Sequence, residues 1–142
     1  MNKQALLTRL IEHEGLCLAP YKDTLGNLTI GIGRNLANGI SEAEARYMAL
    51  NDIVAAEDDL DRNIPWWRKL LNETRQQVLC EMAFNLGWPK LKGFTRFLVA
   101  LELGAYEGAA FEMLNSKWAT QVGNRADTLA RAMQTGSFND VA

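Results

Sequence analysis

Apolar positions recur along the chain in two rhythms, and the change between them divides it. Leu6, Leu7, Leu10 and Ile11 follow the spacing of one helix face. Asn2 stands where an N-cap belongs, and Gly15 where a helix stops. The spacing predicts a helix from about residue 3 to Glu14, with Glu14 projecting from the last turn along the face of Leu10 and Ile11. Over residues 16–34 the rhythm shortens to two. Pro20, Gly26 and Asn27 mark turns, and Leu28-Thr29-Ile30-Gly31-Ile32-Gly33 alternates, which predicts a small antiparallel sheet of two or three strands. Leu28, Ile30 and Ile32 fall on one face. Thr29, Gly31 and Gly33 fall on the other, a hydroxyl beside bare backbone that a ligand can approach closely.

Helical spacing returns at Ser41. Ser41 and Glu44 have the separation of a capping box. The helix that follows runs to about Arg62, with Ala43, Tyr47, Leu50 and Val54 as its apolar stripe and Ile53 and Leu60 beside it. A helix of this size spans about 30 Å, enough to join a small lobe to a larger one. The acidic run Glu57-Asp58-Asp59 reads as a solvated face. Ile64-Pro65-Trp66-Trp67 breaks the helix, and short helices follow over about 73–86, 94–103, 105–115, 116–121 and 124–134. The expected core is Phe84, Phe94, Phe97, Leu98, Leu101, Phe111, Leu114, Trp118, Leu129 and Met133, with Trp66 and Trp67 also read as packing. The fold class is α+β. A sheet lobe (about 15–40) and a helical lobe (about 63–142 plus 1–14) are joined by a bridging helix (about 41–62).

Composition narrows the functions this fold could carry. The 142 residues suit one domain, or two lobes sharing a chain. Residues 1–62 hold six Lys and Arg against ten Asp and Glu, and residues 63–142 hold nine against seven. That mild asymmetry lacks the basic patch of a nucleic-acid binder. Cys17 and Cys80 fit no metal-ligand spacing and read as reduced, partly buried thiols. His13 is the one histidine. It adjoins Glu14, but consecutive helical residues point about 100° apart, so it reads as a surface residue. These counts argue against a zinc site or a Cys–His nucleophile pair, and leave acid–base chemistry to carboxylates. The N-terminal stretch lacks the continuous apolar run of an export signal, and no stretch approaches the roughly 20 apolar residues of a membrane span. The expectation is a protein made in a cytoplasm, without stable membrane insertion.

Glu14, Asp23 and Thr29 carry the candidate chemistry. Two carboxyl groups flanking a cleft are the working parts of a glycoside hydrolase, one donating a proton and the other ionised. Glu14 lies on an apolar face at a helix C-terminus, where negative charge is disfavoured; that suits a proton donor. Asp23 lies in the polar turn Tyr21-Lys22-Asp23-Thr24, which suits an anion, and Thr29 could hold a water against it. By spacing alone the alternative is plain: a Glu at a helix end and an Asp in a turn are common structural residues.

Beyond spacing, Glu14, eight residues, Asp23, five residues and Thr29 resemble the catalytic signature of the bacteriophage lysozymes, the muramidases of glycoside hydrolase family 24. Glu14-Gly15-Leu16, Tyr21-Lys22-Asp23-Thr24 and Thr29-Ile30-Gly31-Ile32-Gly33 extend the likeness. So do Phe84-Asn85-Leu86-Gly87, Gly93-Phe94-Thr95, Ser116-Lys117-Trp118, Gln121, Asn124-Arg125-Ala126 and Thr135-Gly136. The resemblance implies a lysozyme-like fold and a peptidoglycan hydrolase cutting the β-1,4 bond between N-acetylmuramic acid and N-acetylglucosamine with inversion. Glu14 is then the general acid, Asp23 assists a water, and Thr29 positions it. Arg125 matches an arginine that pairs with the catalytic Glu. The implied protein is a monomeric endolysin without cofactor or metal, accumulating in the host cytoplasm and reaching the wall through a phage-made membrane lesion.

Two departures bear on local structure. Arg34 stands where many phage lysozymes have His, which touches a local ion pair rather than the activity. The segment between Gly33 and Ser41 is short, so the sheet lobe is trimmed. Asn85 and Gln121 are candidate sugar-binding groups, or else helix-stabilising ones. Trp88 could stack on a sugar ring, or pack under a loop. A lytic transglycosylase and a catalytically silent wall-binding or virion module are the competing functions. Asp23 and Thr29 speak against the transglycosylase, which uses one Glu.

Overall fold

Asn2 starts the first helix. Its side-chain carbonyl accepts the Ala5 amide at 3.0 Å, and α1 (Lys3–Glu14) runs to Gly15, whose amide closes on the Ile11 carbonyl at 2.9 Å. An N-cap of this kind is worth about 1 kcal/mol. The structure is a computed structural model and describes residues 1–139; positions 140–142 of the expected helical lobe lie outside the described residues. The chain divides into two compact units, Met1–Tyr47 and the residues from Met48 onward.

In the first unit α1 leads into a three-stranded antiparallel sheet of order β1 (Cys17–Lys22), β2 (Leu28–Gly31), β3 (Arg34–Asn35). Tyr21 stands opposite Thr29 and Lys22 opposite Leu28, with an irregularity between Cys17 and Tyr21 in the stretch that holds Pro20. Proline has no amide for the ladder, so a register shift there is the natural accommodation. Thr29 also faces Asn35 across β2 and β3. The sheet corrects the expected alternation. Gly31 and Gly33 both have φ +70, so the chain turns at 32–33 instead of extending. The buried residue of the strand is Thr29, whereas Leu28 is half exposed. Thr29 lies on the central strand between Tyr21 and Asn35, and its hydroxyl is satisfied internally, so its burial leaves no unpaired group.

A 3-10 turn at Leu36–Asn38 and three further residues separate β3 from the next helix, as the short segment predicts. The capping box forms: the Glu44 amide donates to Ser41 Oγ, and the Ser41 amide donates to Glu44 Oε1, each at 3.1 Å. From it springs α2 (Glu42–Asn63), and the division into units falls within this helix. Its buried residues are Ala56 and Leu60, which continue to Ile64 at i+4. The expected stripe of Tyr47, Leu50 and Val54 is more than half exposed, because burial follows the face that leads to Ile64.

The second unit is helical: α3 (Trp67–Leu70), α4 (Glu73–Leu86), α5 (Trp88–Leu91), α6 (Thr95–Glu102), α7 (Tyr106–Leu114), α8 (Lys117–Val122) and α9 (Asn124–Thr135). The single turns α3 and α5 were not expected; they follow the Pro65 and Gly87 breaks, where only interruption is legible. Glu57 is not simply solvated. Arg68 bonds Glu57 at 2.7 Å and Asp61 at 2.8 Å, and lies over the ring of Trp67, whose indole N–H donates to Asp61 at 2.7 Å. This satisfies the one polar atom of a buried tryptophan.

The core confirms Phe97, Leu101, Trp118, Leu129 and Met133, with Phe94 and Leu98 packed against it. It rejects Phe84, Phe111 and Leu114, which are exposed, and adds Val78, Leu79, Met82, Leu91 and Met113. On α9 the buried face is Ala126, Leu129, Ala130 and Met133, at i, i+3, i+4 and i+7; on α7 it is Ala109, Ala110 and Met113. Small side chains let α7 and α9, which pack together, approach closely. Phe111 and Leu114 lie off that face, so size misleads where periodicity does not. Arg75 closes the far end of α9, donating to the carbonyls of Met133 at 2.7 Å and Gln134 at 2.9 Å.

If α7 and α9 meet through alanines, Ala109→Leu costs about 1–3 kcal/mol by overpacking. Phe111→Ala, at a residue 63% exposed, stays within about 0.5 kcal/mol of wild type. Urea unfolding of the two variants checks the pair.

Candidate active site

The loop between β1 and β2 is built around Asp23. Its amide donates to the Asn27 carbonyl at 2.9 Å, and its carbonyl accepts the Gly26 amide at 3.0 Å. Gly26 adopts φ +82, a conformation glycine takes without a side-chain clash. The carboxylate turns back into the loop. Oδ1 accepts the amides of Leu25 at 2.9 Å and Asn27 at 2.8 Å, and Oδ2 accepts the Asn27 side-chain amide at 3.3 Å. These donors, the Asn27 backbone amide foremost, hold Asp23 below its ordinary value against a smaller opposing effect of desolvation.

Thr29 follows two residues after Asn27. Its hydroxyl donates to the Asn27 carbonyl at 2.9 Å, the same oxygen that accepts the Asp23 amide. Asp23 and Thr29 are thus brought together through one residue. Thr29 is 3% exposed, so its rotamer is pinned. Glu14 ends α1, and its carboxyl group stands against the turn between β2 and β3. A Cβ built on Gly33 would lie 2.9 Å from Glu14 Oε2 and 3.2 Å from Cδ. A side chain at that position would strain its φ of +70 and push the Glu14 carboxyl aside. The segment that carries Thr29 therefore also ends against Glu14.

Arg34, the departure noted in the sequence, does make a local ion pair. It meets Glu44 at 2.8 Å and ties β3 to the first turn of α2. The Arg34 guanidinium, followed by the Ser41 amide and hydroxyl, brings Glu44 down to about 2.

The other candidates belong to the second unit. Asn85, in the last turn of α4, accepts the indole N–H of Trp118 at 3.0 Å through its side-chain carbonyl. Gln121 is exposed on α8. The Arg125 guanidinium is engaged by Glu81 at 2.7 Å. Trp88 opens α5 and packs against the core. A cavity of about 600 Å³ in this unit is lined by Ile53, Trp67, Cys80, Glu81, Phe84 and Arg125 among others, and holds none of Glu14, Asp23 or Thr29. Both cysteines are free thiols, and burial pushes Cys80 up. Among the described residues no cluster of three His, Cys, Asp or Glu could hold a metal ion, and no helix is long and apolar enough to cross a membrane. Asn27 was legible beforehand only as a turn marker, because its contacts to Asp23 and Thr29 arise when the hairpin closes.

The candidate site pairs a carboxyl group at a helix end with a second, ionised one in a hairpin loop, the residue types that a glycosidase uses. Comparison with known proteins agrees: the phage lysozyme family matches residues 11–135, and the chain belongs to it. It is 31% identical to an endolysin of Salmonella phage P22 over 73% of this chain and 75% of that protein. It is 25% identical to probable T4-type lysozyme 2 of Dictyostelium discoideum, over 89% of this chain and 92% of that protein. It is also 28% identical to the pre-baseplate central spike protein Gp5 of Enterobacteria phage T4, over 88% of this chain but 27% of that protein.

Two outcomes are expected. Gly33→Ala drives a methyl group against the Glu14 carboxyl, and a displacement of that kind lowers wall-lysis activity by about 10- to 100-fold; initial rates on cell-wall substrate measure it. The folded-state value of Glu44, about 2, lies below its ordinary 4.5. Its pair with Arg34 therefore stabilises fully above 4.5 and is lost as pH falls through about 2. The stability difference between wild type and Glu44→Gln should shrink over that window in denaturant titrations.

Proposed function

We propose that this chain hydrolyses the β-1,4 bond between N-acetylmuramic acid and N-acetylglucosamine in peptidoglycan, with inversion. The observation that carries the reading is the arrangement of Asp23 and Thr29 around Asn27, in a chain of the phage lysozyme family. Glu14 donates its proton to the leaving oxygen. Asp23, kept ionised by amide donors, takes a proton from the attacking water. The Thr29 hydroxyl has committed its own proton to Asn27 and retains only acceptor capacity, so it receives the water's other hydrogen. Inversion needs room for that water, with carboxyl groups about 6.5–9.5 Å apart. Asn85, Gln121 and Arg125 are the proposed substrate-binding groups. Of these, Asn85 already uses its side-chain carbonyl, and Arg125 its guanidinium, within the second unit. No cofactor takes part in the steps as written, and the active form is a monomer. The setting is host lysis: cytoplasmic accumulation, then release to the wall through a phage-made membrane lesion. Similarity to a phage endolysin supports that setting.

The likeness to a pre-baseplate central spike protein favours one second reading, a catalytically silent structural module of a virion.

Glu14→Gln keeps the shape of the side chain and removes its proton. It should abolish turbidity loss on outer-membrane-permeabilised cells, a fall of at least about 10²-fold. Unchanged lysis, or an inactive wild type, would remove the catalytic reading. Mass spectrometry should find hydrolysed muropeptides; anhydro products would instead mark a transglycosylase. Proton NMR of fresh product should show the α anomer at the new reducing end.

A further inference from the structure

We propose that Asn27 is the positioning residue of this site, holding the Asp23 carboxylate and the Thr29 hydroxyl around one water. The inference rests on the hydrolase reading above and extends it to a residue outside the Glu14, Asp23, Thr29 signature.

Four hydrogen bonds join Asn27 to those two residues. Its backbone amide meets Asp23 Oδ1 at 2.8 Å, and its side-chain amide meets Oδ2 at 3.3 Å. Each carboxylate oxygen thus has its own Asn27 donor, and the carboxylate cannot rotate without breaking one. Its carbonyl accepts the Asp23 amide and the Thr29 hydroxyl, both at 2.9 Å. A carbonyl can only accept, so the direction of the Thr29 bond is fixed and that oxygen offers lone pairs alone. A water that donates one hydrogen to Asp23 and the other to Thr29 has both protons committed. Its free lone pair then faces the sugar. As the new C–O bond forms, one water proton passes to Asp23, the glycosidic bond breaks, and the Glu14 proton passes to the leaving oxygen. The backbone share of this frame could come from any residue. The donor to Oδ2 is the part that requires Asn.

No charged side chain substitutes for it. The titratable groups on the elements around the loop are Tyr21, Lys22 and Cys17 of β1, Arg34 of β3, and Lys3, Arg9, Glu12, His13 and Glu14 of α1. None of them figures among the causes that lower Asp23, which are amide donors alone.

The test uses the full chain and the variants Asn27→Ala and Asn27→Asp. Asp23 is titrated directly by carboxyl-carbon NMR, and kcat and KM are followed against pH on soluble peptidoglycan fragments. In Asn27→Ala the Asp23 titration and the acid limb of the rate profile should move together to higher pH. At the optimum kcat should fall about three- to tenfold, the net worth of one long, solvent-exposed hydrogen bond, with KM unchanged. Asn27→Asp places a like charge beside Asp23 and should move both further the same way. Melting temperatures should stay near wild type, since the loop is exposed. An Asp23 titration and acid limb that stay put in both variants overturn the proposal, as does an activity loss that only tracks melting. An inactive wild type overturns the hydrolase reading and this inference with it; an active wild type with an unmoved Asp23 overturns this inference alone.

Discussion

The carbonyl oxygen of Asn27 accepts two protons, one from the Asp23 amide and one from the Thr29 hydroxyl, and the candidate site depends on that double acceptance. The first bond closes the hairpin and turns the Asp23 carboxylate back onto the amides of Leu25 and Asn27. The second fixes which way the Thr29 hydroxyl points. Closing the loop and orienting both candidate groups are therefore one event. A carboxylate that accepts several amide protons stays ionised at little cost. A threonine whose proton is spent can be buried without an unpaired group.

Glu14 reaches the same segment from the other side. It ends α1, whose start is set by Asn2 and whose stop is set by Gly15. Its carboxyl group stands over a glycine because a larger residue at position 33 would collide with it. The two positive-φ glycines of the Gly-Ile-Gly run thus do more than bare one face of a strand. They end the strand and turn the chain, and Gly33 admits the acid. Arg34 then leaves the turn for Glu44, which ties the end of the sheet to the capping box of α2.

The second unit shows how periodicity and residue size compete in reading a core. Phe111 and Leu114 are large but lie off the buried face of α7; Ala109 and Ala110 are small and lie on it. The same competition hides Ala126 and Ala130 on α9. Position on the helix face decides burial, because a side chain of any size must first point at its neighbour. Charge runs mislead in a similar way. Glu57 looks solvated in sequence, yet with Asp61 it holds Arg68, and Asp61 holds the buried indole of Trp67, because helix α2 runs beside the chain that follows the Pro65 break.

Much of this protein was determined locally. Caps at Asn2 and Ser41, stops at Gly15 and Gly87, the long α2 and the α+β class are set by contacts within a few residues, so the sequence alone specified them. Glu14, Asp23 and Thr29 lie within one contiguous stretch, so the family resemblance could name them as candidates from sequence alone. Tertiary structure decided the rest. It chose Thr29 over Leu28 as the buried residue of β2, made Asn27 the link between Asp23 and Thr29, and engaged Arg125 with Glu81 and Asn85 with Trp118. Those outcomes depend on which groups meet once strands pair and helices pack, and no local propensity encodes such meetings.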